Sequence, residues 1–144
     1  MKWRILAGTT ALLAVMNVTS AASAASIQTG RVSVSTIVEF GNAVQPVVID
    51  ENSQINIARV IQIGGSGTVD STIVQTGTLN RASVFQVGGT TNSLIDQTGV
   101  TNTASVTQIG NSTNSVIAQS GNMNTGSVSQ FGNTNLSAIV QSGQ

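Results

Sequence analysis

From residue 71 onward, apolar and polar positions alternate with a period of two, in short runs that each close on glycine. In "ASVTQIG", Ala104, Val106 and Gln108 fall on one side, with Ser105 and Thr107 on the other. Eleven residues on, "SVIAQSG" places Ser115, Ile117 and Gln119 in the same way. Alternation of this kind, rich in β-branched residues and bounded by Gly, Asn, Thr and Ser, predicts half-buried strands joined by tight turns. Nothing recurs at the three-to-four spacing of an amphipathic helix.

Two phrases take turns along the chain. A serine phrase reads "STIVQTG" from Ser71, "SLIDQTG" from Ser93, "SVIAQSG" from Ser115 and "SAIVQSG" from Ser137. "STIVEFG" from Ser35 reads as an earlier variant, with Glu39 in the glutamine slot. An alanine phrase reads "ARVIQIG" from Ala58, "ASVFQVG" from Ala82 and "ASVTQIG" from Ala104, and "GSVSQFG" from Gly126 belongs with it. Gln75, Gln86, Gln97, Gln108, Gln119, Gln130 and Gln141 follow one another at intervals of 11, so like phrases recur every 22 residues. Gln62 precedes Gln75 by 13, with the extra residues in "GGSG" at 64–67.

Two strand-turn units of 11 residues make one coil, and coils stack at the inter-strand spacing of about 4.8 Å. The predicted fold is all-β: a two-sheet parallel β-solenoid, with about five coils from Ile27 onward and a height of ~25 Å. Gly77, Gly88, Gly99, Gly110, Gly121 and Gly132 are the predicted turn glycines, supplying the positive φ of tight turns. Residues 42–57 fit neither phrase and include Pro46, which cannot donate to a ladder, so they read as an irregular coil or an extended loop.

The inward glutamines carry the functional argument. A buried amide is costly unless it finds partners. Stacking with a 22-residue period places Gln75 beneath Gln97, Gln119 and Gln141, and Gln86 beneath Gln108 and Gln130, so that each amide can donate to one neighbour and accept from the other. Such ladders stabilise cross-β stacks. The expected ladder set is Gln62, Gln75, Gln86, Gln97, Gln108, Gln119, Gln130 and Gln141, with Asn80, Asn92, Asn102, Asn114 and Asn124 at the turns. The end rungs leave their amides and backbone unpaired behind a full-strength last phrase, "SAIVQSGQ", which offers a template to another copy. Asp70 and Asp96 read equally as gatekeepers against premature pairing or as solvated acids.

Composition sharpens this picture. The stretch "MKWRILAGTTALLAVMNVTSAASAAS" has a basic start, an apolar run from Ile5 to Val18 and a small-residue site at Ala22-Ser23-Ala24, the anatomy of a secretory signal peptide cut after Ala24. The run is too short for a stable membrane anchor. The expected domains are a signal peptide at 1–24, an irregular segment with degenerate repeats at 25–57 and the repeat solenoid at 58–144. Beyond residue 24 there is no lysine, and three arginines stand against five acids, a net charge of −2. With charged residues only 7% of the chain, the surface lacks the repulsion that keeps folded monomers apart. There is no cysteine to cross-link the fold and no basic patch for nucleic acid.

The pattern Gln-x-Gly-x-x-Asn-x-Ala-x-Val-x-Gln appears in "QTGTLNRASVFQVG" from Gln75 and "QTGVTNTASVTQIG" from Gln97, and with Gly126 in the alanine slot in "QSGNMNTGSVSQFG" from Gln119. In this pattern, which with partial copies covers about residues 58–144, the chain resembles a curlin, a subunit of curli-type bacterial functional amyloid. The resemblance implies general secretion, passage through a dedicated outer-membrane pore with accessory factors, and polymerisation at the cell surface into adhesive matrix fibres. It also implies a partner, since curlins divide into a bulk subunit and a surface-bound nucleator. The nucleator tends to end in a basic repeat, and this chain's last phrase has no Lys or Arg, which favours the bulk subunit. The amino-terminal targeting segment typical of the family is not evident in "ASIQTGRVSVSTIVEFGNAVQPVV".

Other chemistry fares poorly. Without His or Cys there is no common nucleophile-base pair and no thiolate metal site, and no catalytic, cofactor or metal residue is assigned. Asp70 and Asp96 could approach as a carboxylate pair, but no aromatic platform for a sugar accompanies them. "GGSG" has no Lys-Ser or Lys-Thr after it and reads as a turn, not a phosphate loop. The rival readings are a non-polymerising β-solenoid adhesin shaft and an ice-binding face. Thr76, Thr98, Ser120 and Ser142 form too short and mixed a row for ice. Val87, Ile109 and Phe131 form an apolar outer stripe suited to lateral association or surface contact.

Overall fold

The computed structural model describes residues 5–7, 11–17, 25–28, 31–41, 47–64 and 67–143, with side chains from residue 31 onward. Strand is the only regular structure in it. Eleven strands appear in chain order: β1 (Ile5–Ala7), β2 (Ala11–Asn17), β3 (Ala25–Gln28), β4 (Val32–Phe40), β5 (Val48–Ile63), β6 (Val69–Val87), β7 (Thr91–Ile109), β8 (Thr113–Gly121), β9 (Asn124–Thr125), β10 (Val128–Gln130) and β11 (Asn135–Ser142). Every pairing is parallel, and β5, β6 and β7 each bend midway so that one strand serves both sides of a coil. The chain is a β-solenoid of about five turns.

Its two faces follow the two phrases. The serine face runs β1, β3, the first half of β5, of β6 and of β7, then β8 and β11. The alanine face runs β2, β4, the second halves of β5, β6 and β7, then β9 and β10. Like sits on like throughout the regular part: Ser71, Ser93, Ser115 and Ser137 share one register position, and Ala82 and Ala104 another.

Apolar columns fill the space between the faces. Ile49, Ile73, Ile95 and Ile117 stack on the serine side and Ile37, Val60, Val84, Val106 and Val128 on the alanine side, all buried. Each contributes about 1.5–3 kcal/mol on burial, against about 1 kcal/mol net for an amide hydrogen bond. The aliphatic columns therefore supply most of the cohesion, and the amides between them fix the register. A two-residue slip would keep the alternation but bring isoleucine under glutamine and strand each amide.

One sequence-based assignment changes, and for residues 48–57 the coil is decided over the loop. "STIVEFG" from Ser35 does not join the serine face, because Glu39 lies in register with Gln62 and Ser35 with Ala58, on the alanine face. The serine-face slot in that part of the stack is taken by Glu51, in register with Gln75. Residues 48–63 thus form a full rung, with Ile49 on Ile73 and Asn56 on Asn80. This rung escapes a 22-residue search because residues 51 and 75 are 24 apart. Pro46, residues 42–46 and the cleavage site expected after Ala24 lie outside the described residues. Within the stretch read as a leader, β2 lies in register with β4, from Ala11 on Ser33 to Asn17 on Glu39.

The bend after each serine phrase depends on glycine. Gly77, Gly99 and Gly121 have φ of 134°, 144° and 101°, a region disfavoured for residues with a Cβ. A Cβ on Gly99 would stand 1.9 Å from the Gly121 carbonyl oxygen of the next coil. At the opposite corner Gly88 and Gly110 also take positive φ but face open space, and Gly132 faces open space with the positive φ passed to Asn133 and Thr134.

Candidate self-assembly site

The serine-face glutamines form an unbroken chain of hydrogen bonds. Gln75 Nε2 donates to Gln97 Oε1 at 2.7 Å, Gln97 Nε2 to Gln119 Oε1 at 2.8 Å, and Gln119 Nε2 to Gln141 Oε1 at 2.7 Å. Every bond points the same way, toward β11. Alternation turns these side chains inward, and the 22-residue coil brings each amide within reach of the next.

The alanine-face glutamines are also buried but do not form one continuous ladder, contrary to the symmetric expectation. Gln62 Nε2 donates to Gln86 Oε1 at 3.1 Å, and there the row breaks. Gln108 Nε2 crosses the core to the Ser115 Oγ at 3.0 Å and the Asn92 carbonyl at 2.8 Å. Gln130 repeats this move to Ser137 Oγ at 3.1 Å and the Asn114 carbonyl at 2.9 Å. These bonds tie the two faces together, whereas the serine-face bonds tie one coil to the next. Serine hydroxyls across the core thus take the amides of Gln108 and Gln130, a contest that spacing along one face does not display.

The asparagines divide likewise. Asn124 Nδ2 donates to Asn102 Oδ1 at 3.2 Å, Asn102 Nδ2 to Asn80 Oδ1 at 3.0 Å, and Asn80 Nδ2 to Ser53 Oγ at 2.9 Å. This row points away from β11, so its amide dipoles oppose those of the glutamines. Asn92 and Asn114 have exposed side chains and contribute only backbone carbonyls, so they are not ladder side chains. Sequence reading missed Glu51, Ser53 and Asn56, all buried in this region. Their 24-residue offsets to Gln75, Gly77 and Asn80 were the available signal.

The outer surface carries two further rows. Thr76, Thr98, Ser120 and Ser142 are exposed and in register on the serine face. On the alanine face Phe40, Ile63, Val87 and Ile109 lie in register, with Phe131 following Gln130 one coil on, which lengthens the stripe read from the sequence. Asp70 is in register with Asn92 and Asp96 with Val74, four positions apart along the strands, which separates the two carboxylates. No group of three or more metal-ligating side chains occurs among the described residues.

The family model for the curlin associated repeat matches residues 101–132. That stretch is similar to the curlin associated repeat. The match spans the second half of β7, all of β8 and β9, and β10 with the residues that follow. It thus contains one whole coil of the stack, with Asn102, Gln108, Gln119, Asn124 and Gln130 inside it. No curated protein and no solved structure matches the chain. No described helix is long and apolar enough to cross a membrane.

Proposed function

We propose that this chain is a secreted structural subunit that self-assembles into extracellular amyloid-like fibres for surface adhesion and a biofilm matrix. The observation that carries the reading is the one-way amide row, which arrives at Gln141 on β11, a strand paired on one side only among the described residues. Gln141 accepts from Gln119 and still has an amino group to donate. Beside it Leu136 and Val140 are each 78% exposed, beyond what a settled strand of this fold shows. A second copy laid along this edge would satisfy the amide and the backbone together. The curlin repeat favours the same function.

Under this reading residues 1–24 direct export and are removed, an outer-membrane pore with accessory factors passes the chain, and a nucleator subunit starts the fibre. The chain itself is the bulk subunit. The test is assembly of the secreted chain recovered from expressing cells. Thioflavin-positive fibres should form after a lag that seeds shorten, with a meridional fibre-diffraction reflection at about 4.8 Å. A chain that stays folded and monomeric for days at high concentration would sink the proposal in favour of a solitary shaft.

A further inference from the structure

Glu39 stands where the alanine face otherwise has glutamine, directly in register with Gln62. With β2 laid over β4 in the uncleaved chain, its side chain is 1% exposed, and neither carboxyl oxygen makes a full hydrogen bond. Gln62 Oε1 also lacks a partner, while Gln62 Nε2 is committed to Gln86 Oε1 at 3.1 Å. Two acceptors therefore adjoin in the core with no donor between them. A proton supplies the missing donor, because a neutral carboxylic acid donates an O–H where glutamine would donate an N–H.

We propose that Glu39 enters the stack as a neutral carboxylic acid whose O–H donates to Gln62 Oε1, so that laying β4 onto β5 takes up one proton from solvent. The surroundings agree. Burial raises the Glu39 pKa above its ordinary value of 4.5, and the Val47 backbone beside it pulls the other way less strongly. Neither β4 nor β2 carries another titratable side chain. From β5, Asp50 and Arg59 are exposed, while Glu51 points inward on the opposite face with Oε1 accepting from Ser35 Oγ at 3.2 Å. From β6, Arg81 is exposed and Asp70 half-buried, and Arg31, just before β4, is exposed. Among the described residues no cation is buried beside Glu39.

The sign follows from proton linkage. A carboxyl whose folded pKa is raised stabilises the rung fully below the unfolded value, and that advantage is lost as pH climbs from the ordinary carboxylate range to the raised value. For one proton the change is up to about tenfold in the closing equilibrium per pH unit.

Amide hydrogen exchange on the uncleaved chain, with residues 1–24 retained so that β2 covers β4, tests this, with residues 34–38 of β4 compared with the β7 amides in the same molecule. After correction for intrinsic exchange, β4 protection should fall by up to about tenfold per pH unit above the carboxylate range while β7 stays flat. Glu39→Gln should hold β4 at its acid-side protection throughout. A flat wild-type profile, or a slope that survives Glu39→Gln, overturns the proposal. Should Glu39→Gln fail to fold, isotope-edited infrared spectra of wild-type chain decide: a neutral-acid carbonyl band at about pH 6, where ordinary glutamate is ionised, supports it, and a carboxylate band overturns it. The readout is local closure of one strand, so it stands or falls separately from polymerisation.

Discussion

Gln97 Nε2 donates to Gln119 Oε1 across 2.8 Å, while Gln97 Oε1 accepts from Gln75 at 2.7 Å. One side chain thus satisfies two neighbours, and removing it leaves a donor and an acceptor stranded in the core. Gln97→Ala should destabilise the stack by about 2–6 kcal/mol, since each of the two stranded groups costs about 1–3 kcal/mol. Ser105→Ala, on the outward side of β7, should change little, within about 0.5 kcal/mol. Denaturant midpoints and seeded growth rates of both variants check this. Equal effects would show that the amide row does not set the register.

The glycine corners should differ sharply. Gly99→Ala drives a Cβ into the Gly121 carbonyl at 1.9 Å and requires the coils to part, at an expected loss of more than about 4 kcal/mol. Gly110→Ala meets nothing within 4 Å and bears only the left-handed backbone cost of about 1–2 kcal/mol. Thermal unfolding of the two variants distinguishes them, and comparable losses would refute the close-contact account.

Gln108 and Ser115 offer a double-mutant cycle across the core. Because Gln108 Nε2 reaches Ser115 Oγ at 3.0 Å, Gln108→Ala, Ser115→Ala and the double variant should reveal a coupling of about 0.5–3 kcal/mol. The pair Gln97 and Ser105, which share no bond, should be additive. Zero coupling at the first pair would mean that the alanine-face amides run along the stack instead.

The apolar stripe makes a prediction about fibre habit. Phe131 is 67% exposed and Ile109 38%, and stacked copies would extend such a row into a long apolar surface. Phe131→Ser with Ile109→Ser should yield thinner, less bundled fibres in electron micrographs with elongation rates unchanged. Unaltered bundling would remove the stripe from lateral contact.

The acidic rung shows where legibility ended. Past Ser71 the glutamine spacing is uniform, and alternation alone predicts the buried set. Before it, the 24-residue coils shift the phase, so that "STIVEFG" resembles the serine phrase by composition yet sits on the alanine face. Local similarity favoured one face, and the strand pairings along the whole of β5 decided the other.

By itself the sequence determined the alternation, the 22-residue coil and the inward glutamines, because strand periodicity and a fixed repeat length are properties of the chain in one dimension. Tertiary structure alone decided which way each amide points. That choice depends on what stands across the core: a serine hydroxyl and a carbonyl draw Gln108 and Gln130 away, whereas the serine-face amides close on their own kind. It also decided that Glu39 adjoins Gln62 without a donor between them, a meeting created only when two segments 23 residues apart are laid side by side.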